Sequence, residues 1–288
     1  MFNLYDKIKG HPDYYRQLSC GDSLITLFNC PLVNKYQDIW TDYNYFIYVM
    51  EGRKIWHTGH GSYDLYKGRC VFVKKGASIV EQFLDSNSCF ILFFMPDEFI
   101  CEVLKSKGTP VDKGGLQHFD PIIPIDGNAL VESFFLSMIP HFSSNREPDK
   151  ALLELKFREL VLTIADNASN NDLCAYFYSL LQQPNAVALQ QVMEDNFCFN
   201  LKLEEFARLS MRSLSGFKRD FQQVYQTSPG KWLLEKRLGR AHHLLRNLGK
   251  TVSEAAFESG FENSSHFSRA FRQRFGNPPA TVKQQAIL

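Results

Sequence analysis

No CxxC pair, glycine-rich phosphate loop, Ser/His/Asp triad order or paired carboxylate stands out in this sequence. Each absence removes a class of chemistry: thiol redox, nucleotide cradling, acyl transfer and carboxylate acid–base catalysis. The seven cysteines are Cys20, Cys30, Cys70, Cys89, Cys101, Cys174 and Cys198. Their odd number fits a reduced cytosol rather than a disulfide framework. The longest apolar run, residues 89–95, falls far short of the about 20 residues a bilayer span takes. The opening Met-Phe-Asn-Leu-Tyr-Asp-Lys has no basic segment leading into an apolar run, so no signal peptide is expected. The cysteine pattern, the opening residues and the short apolar run predict a cytoplasmic protein with no membrane contact, and no catalytic residue or cofactor is assigned.

Net charge is also scarce, at +1, but it is unevenly spread. Residues 185–288 hold 15 Lys and Arg against 9 Asp and Glu, a net of +6, and residues 1–184 hold 17 against 22, a net of −5. A basic C-terminal part favours phosphate contact, and an acidic N-terminal part argues against it there. A chain of 288 residues with 44% hydrophobic content suits two domains, drawn here as 1–184 and 185–288.

What the sequence does have is a doubled stretch. Phe217, Arg219, Phe221, Tyr225 and Pro229 are echoed fifty residues later by Phe267, Arg269, Phe271, Phe275 and Pro279. Aromatics at i, i+4 and i+8 form one buried stripe on a helix. The opposite face carries Ser215, Arg219, Gln222 and Gln223 in the first copy, flanked by Lys218. In the second it carries Ser265, Arg269, Arg272 and Gln273, with His266 at the helix start. Arg can bond guanine bidentately, Gln can bond adenine, and both reach phosphate, so these ten residues are the DNA-contact candidates. A short helix precedes each copy, at 203–209 and again at 252–257, offset by forty-nine. Turns follow at 210–213 and 260–264, giving two helix-turn-helix units. Between them, residues 231–248 read as one helix, with Trp232, Leu233, Leu238, Ala241, Leu244, Leu245 and Leu248 on its apolar face. Lys236, Arg237, Arg240 and Arg246 are expected to face water, with His242 and His243 on the polar side.

This stretch resembles the DNA-binding domain of the AraC/XylS family of bacterial transcription regulators. The resemblance rests on Leu203, Ala207, the Ser213-Leu-Ser-Gly-Phe-Lys-Arg-Asp-Phe221 run, Ser228-Pro229, Trp232, Arg237, Ala241 and Leu244-Leu245. It continues through Val252, Glu254, Ala256, Gly260-Phe261, His266-Phe-Ser-Arg-Ala-Phe271, Phe275-Gly276 and Pro279. It implies two helix-turn-helix units reading neighbouring major-groove segments. It also implies partners: double-stranded DNA, a second copy of the chain, an effector that is a small molecule or a protein, and RNA polymerase if the regulator activates. One residue departs from the pattern. Arg212 stands where the family has an apolar turn residue and the second copy has Phe261, and Met211 is expected to compensate.

The N-terminal part reads as short strands at 23–28, 43–50, 53–58, 62–66, 69–73, 79–84 and 89–95, punctuated by Gly and Asn. Such spacing suggests an antiparallel sandwich or barrel. Its layout is similar to the cupin-like barrel that regulators of this family carry. The expected fold is therefore α+β: a cupin-like antiparallel β barrel with trailing helices, then an all-α double helix-turn-helix domain. Residues 96–127 read as loops with one short helix near 98–105, since Pro110, Gly114, Gly115, Pro121 and Pro124 interrupt them. Trailing helices are expected at 129–142, 149–167 and 173–181, with a linker at 182–185 and a first helix of the second domain at 186–196. In the 149–167 helix, Leu153, Phe157, Leu160, Val161 and Ile164 form the main apolar face, while Leu155 and Leu162 lie on another side. That second stripe either meets a twin helix as a dimer seam or packs within the same chain.

His57 and His60, followed by Asp64, are the candidate metal ligands. Their His-x-x-His spacing points them to different sides of a regular strand, which disfavours a cupin metal site. His11, His118 and His141 are isolated. Tyr43, Tyr45, Phe46, Tyr48, Trp56, Phe72, Phe83, Phe90, Phe93 and Phe94 fill a core or, in part, line an apolar effector pocket. Two rivals to a small-molecule-sensing regulator stay open: a cupin-type metal enzyme with an appended DNA-binding domain, and a regulator controlled by a protein partner.

Overall fold

The structure is a computed structural model describing residues 1–29, 34–83, 87–107, 119–144, 147–182 and 189–285. The chain divides into two compact units, Met1–Ala186 and Val187–Leu288. His118, Cys30 and the expected linker after residue 182 lie outside the described residues.

The first unit runs β1 (Phe2–Asn3), α1 (Leu4–Lys9), β2 (Gln17–Cys20), β3 (Ser23–Asn29), β4 (Tyr36–Thr41), β5 (Asn44–Glu51), β6 (Arg53–His57), β7 (Ser62–Tyr66), β8 (Cys70–Val73), β9 (Gly76–Gln82) and β10 (Cys89–Met95). It continues with α2 (Asp97–Ser106), β11 (Ile122–Ile125), α3 (Ala129–Ser143), α4 (Lys150–Asp166) and α5 (Asn171–Gln182). The strands form two sheets, ordered β1-β4-β9-β6-β7 and β11-β8-β5-β10-β3-β2. The expected closed barrel is thus corrected to two separate sheets among the described strands. The chain crosses between them at Gly52, where φ is +82° and a Cβ would meet the Asn87 carbonyl oxygen at 2.4 Å. Only glycine fits that corner. The pairing is antiparallel except for β1 against β4, which is parallel.

Strand alternation explains the layering. Along β5, Tyr45, Ile47 and Val49 face a core shared with Trp56, Leu65 and Val80 of the other sheet. Phe46 and Tyr48 face a second core, built with Phe135, Leu160 and Phe177 of the helices. β10 does the same, with Phe90, Leu92 and Phe94 on one side and Ile91, Phe93 and Met95 on the other. A strand covered on both faces reads as a continuous apolar run, which is why 89–95 has no polar residue. The aromatic-rich strands therefore fill two cores. Tyr45 stacks on Phe94 at 4.9 Å and Tyr48 on Phe135 at 4.8 Å.

Four strands, β1, β2, β4 and β11, were not apparent in the sequence pattern. β4 carries the polar Gln37 and Asp38 directly after its first residue, Tyr36. β11 contains Pro124, tolerated because β11 is an edge strand and the missing N–H leaves no central ladder bond unmade. In α4 the buried residues are Leu153, Phe157, Leu160, Val161 and Ile164. Leu155 is 62% exposed, whereas Leu162 is half-buried against the helix-side core.

The second unit is helical: α6 (Leu189–Asn196), α7 (Leu203–Leu209), α8 (Leu214–Tyr225), α9 (Pro229–Asn247), α10 (Val252–Glu258), α11 (Ser264–Phe275) and α12 (Pro279–Gln285). α9 starts two residues earlier than its apolar pattern suggests. Ser228 caps it and Pro229 occupies the first turn, where a missing N–H costs nothing.

Candidate nucleic-acid interface

α8 and α11 are each held by their aromatic stripe. Phe217, Phe221, Phe267 and Phe271 are fully buried. Phe221 stacks on Tyr225 with centroids 4.5 Å apart, and Phe271 lies 4.6 Å from Phe275. α9 closes both stripes, with Trp232 set 5.1 Å from Tyr225 and His242 stacked 4.7 Å from Phe275. His242 is therefore a packing residue, a correction to its expected place on the polar face. An imidazole has an aromatic face to lay on phenylalanine.

With the stripes buried, the opposite faces are free. Ser215, Lys218, Arg219, Gln222, Gln223, Ser265, His266, Arg269, Arg272 and Gln273 are all exposed. Side-chain caps start both helices: Ser213 Oγ accepts from Gly216 N at 3.2 Å, and Asn263 Oδ1 from His266 N at 2.9 Å.

The two turns share one design with one difference. In each, the preceding short helix ends in a left-handed residue, Met211 at φ +55° and Gly260 at φ +84°. The next residue donates back to the helix, Arg212 N to Ala207 O at 2.9 Å and Phe261 N to Ala256 O at 3.0 Å. These are Schellman ends, which favour an apolar contact from that last residue. Phe261 makes it, packing 5.0 Å from Phe267 in a core that also holds Ala270. Arg212 uses charge instead. Its Nε donates to Asp220 Oδ2 at 3.0 Å and its Nη1 to Ser210 O at 2.7 Å. Asp220 occupies the place of Ala270, so an ion pair stands where the second unit has an apolar pair. Met211 is 50% exposed and does not take over that packing, contrary to expectation. The second turn is longer by Glu262, which accepts from Asn200. That extra residue moves the repeat offset from forty-nine to fifty.

Asp220 has a second partner, Arg219, whose Nε lies 3.2 Å from Oδ1. Hydrogen bonding from Arg212, joined by Arg219, holds the Asp220 carboxyl below the usual carboxylate range. Neither Arg212 nor Asp220 stood out as functional in the sequence; the signal was the Arg–Asp exchange for Phe–Ala between the repeats.

Two arginines of α9 also need correcting, since neither simply faces water. Arg237 donates to the carbonyls of Phe197 at 2.7 Å and Phe199 at 2.6 Å, and burial lowers its pKa. Arg240 donates to Glu258 O at 3.0 Å, capping the end of α10. A long side chain lets a guanidinium leave the polar face its Cα occupies.

In the first unit, His57 does not turn toward His60. Its Nδ1 lies 2.7 Å from Ser62 Oγ and its Nε2 3.0 Å from Glu81 Oε2. Asp64 is engaged by Arg53 through two bonds of 2.8 Å. Among the described residues no group of three or more His, Cys, Asp or Glu is arranged to hold a metal ion. No helix among them is long and apolar enough to cross a membrane.

Comparison with known proteins follows the same division. Residues 44–176 match the family described as the ExsA N-terminal regulatory domain, and residues 206–285 match a helix-turn-helix domain family. The chain belongs to the AraC/XylS family of transcription regulators. This regulator is 26% identical over 242 residues to the thermoregulatory protein LcrF of Yersinia pestis, covering 83% of this chain and 88% of that one. The same figures hold for the virulence regulon transcriptional activator VirF of Yersinia enterocolitica. It is 33% identical to the HTH-type transcriptional regulator ExsA of Pseudomonas aeruginosa over 130 residues, 45% of this chain and 46% of ExsA. The regulator is a DNA-binding protein and not an enzyme, with a regulatory domain ahead of its two helix-turn-helix units.

Proposed function

We propose that the regulator binds a two-part DNA site, with α8 and α11 in adjacent major-groove segments, Arg219 and Arg269 on base edges, and the remaining eight candidates on bases and phosphates. The observation that carries this is the matched pair of helices, each with its aromatic stripe buried and its Ser/Arg/Gln face exposed. Its site of action is the bacterial cytoplasm, and by its likeness to VirF its effect is activation, with RNA polymerase as the partner. The first unit dimerises through the α4 face that bears Leu155 and the half-buried Leu162, and takes the effector signal. Binding-site selection on wild type, Arg219→Ala and Arg269→Ala tests the reading. Each variant loses about 1–3 kcal/mol of specific binding and relaxes preference at its own position. Preferences unchanged at every position would remove both arginines as base readers. For the dimer, Leu155→Glu with Leu162→Glu gives a folded monomer in sedimentation; an unchanged dimer rejects this seam.

A further inference from the structure

Asp220 joins the turn of the first helix-turn-helix unit to its reading arginine. One carboxylate oxygen, Oδ2, takes Arg212 Nε at 3.0 Å, and Arg212 is itself tied to the turn through Ser210 O. The other, Oδ1, takes Arg219 Nε and Nη2, both at 3.2 Å. The side chain of Arg219 is nevertheless 72% exposed, so it is held from behind and open in front.

A guanidinium carries five N–H groups in a planar fork. Asp220 occupies the Nε–Nη2 edge, which leaves the terminal Nη1–Nη2 edge to point outward. Two parallel N–H groups on that edge match O6 and N7 of guanine. An unsupported arginine must give up rotamer freedom to reach that pose, and it has the alternative of swinging onto a phosphate. The Asp220 carboxylate restricts the first and, by its negative charge, opposes close approach of phosphate. In the second unit the residue after Arg269 is Ala270, so no carboxylate stands at that place.

We propose that Asp220 is a specificity-determining positioning residue: it fixes Arg219 end-on to a guanine, making the first helix-turn-helix unit the stringent reader and the second the tolerant one. This rests on the reading of α8 as a major-groove helix with Arg219 at the bases.

The test uses the intact regulator in binding-site selection, followed by affinities for the selected site and its single-base variants. Arg219→Ala identifies the base pair that Arg219 reads. Asp220→Asn lowers discrimination at that one pair about ten-fold and leaves preference at other positions as in wild type. Added to Arg219→Ala, it has no further effect on specificity. The double variant Arg212→Phe with Asp220→Ala imports the apolar pair of the second unit. It therefore keeps the turn packed while removing the carboxylate, and shows the same loss at the same pair. If these variants weaken all sequences equally, or leave that pair as stringent as wild type while Arg219→Ala erases it, the proposal fails and Arg219 remains a reader. If Arg219→Ala erases no position, the reading of α8 fails with it.

Discussion

A Cβ on Gly260 would stand 2.7 Å from the carbonyl oxygen of Cys198. The same atom would lie 3.1 Å from Arg237 Nε, which is already engaged with the carbonyls of Phe197 and Phe199. Gly260 also sits at φ +84°. Two constraints, backbone conformation and close approach, thus fall on one residue. Gly260→Ala is expected to destabilise the second unit by on the order of 2–4 kcal/mol, combining left-handed strain with a backbone clash. Met211, its counterpart, carries a side chain at a left-handed φ of +55°. Met211→Gly is expected to stabilise by up to about 1 kcal/mol, the relief of strain being partly offset by a looser unfolded chain. Urea unfolding of both variants checks the signs; a destabilised Met211→Gly would contradict this account.

In the first unit, Asp97 at the start of α2 bonds Lys75 Nζ at 2.5 Å and Asn44 Nδ2 at 2.5 Å, and Asn44 Oδ1 also accepts from Tyr176 OH at 3.2 Å. The side chains of Lys75 and Asp97 are only 8% and 11% exposed. Removing one partner strands a buried charge. Asp97→Ala is expected to cost about 3–5 kcal/mol, and Asp97→Leu with Lys75→Met to recover most of it. A double variant no better than the single one in urea unfolding would show that the network matters as hydrogen bonds, not as a charge pair.

The parts of this architecture that the sequence displayed were those written as periodicity. Phe217, Phe221 and Tyr225, repeated as Phe267, Phe271 and Phe275, exposed both helices because burial selects one side of a helix. What stayed hidden depended on reach or on coverage. The register of Arg237 points to water, but its guanidinium caps carbonyls some forty residues away. Arg212 and Asp220 are eight apart and meet only once the turn is built. The run from Cys89 to Met95 signals burial on both faces, yet it cannot say that one face meets a second sheet and the other meets helices. Pro124 reads as a loop because the sequence does not reveal that its strand lies at an edge.

His242 gives the second unit a pH dependence. Burial against Phe271 and Phe275, helped by the charges of Arg246 and His243, lowers its pKa. A histidine whose folded pKa is depressed binds protons more readily when unfolded. Its contribution to stability is therefore complete above the unfolded value, about 6.5, and is lost as pH falls through the folded value. His242→Phe keeps the aromatic stack and removes the titration. The melting temperature of wild type should drop relative to that of His242→Phe as pH is lowered from 7 toward about 5. Parallel melting curves across that range would show that His242 does not titrate on unfolding.

α9 sets the separation of the two reading helices. It is 19 residues long, which at ~1.5 Å per residue is about 28 Å. Successive major-groove faces recur at about 34 Å, so two units packed on one such rod can match one turn of DNA. Gly239 lies mid-way along α9, exposed, and a Cβ there would meet nothing within 4 Å. The site therefore offers a stiffening and a breaking substitution at the same surface position. Gly239→Ala should stabilise the helix by about 0.5–1 kcal/mol and leave the footprint of residues 187–288 at two adjacent groove segments. Gly239→Pro removes a helical hydrogen bond and clashes with the preceding turn, at about 3 kcal/mol or more, and should shorten protection to one segment. Binding by the unmutated fragment should fall steeply with salt as Lys and Arg displace counterions from phosphate. Hydroxyl-radical footprinting decides the matter, because a rod that couples two readers cannot leave one groove segment unprotected. Protection of a single segment by the unmutated fragment would mean that only one of α8 and α11 enters the groove.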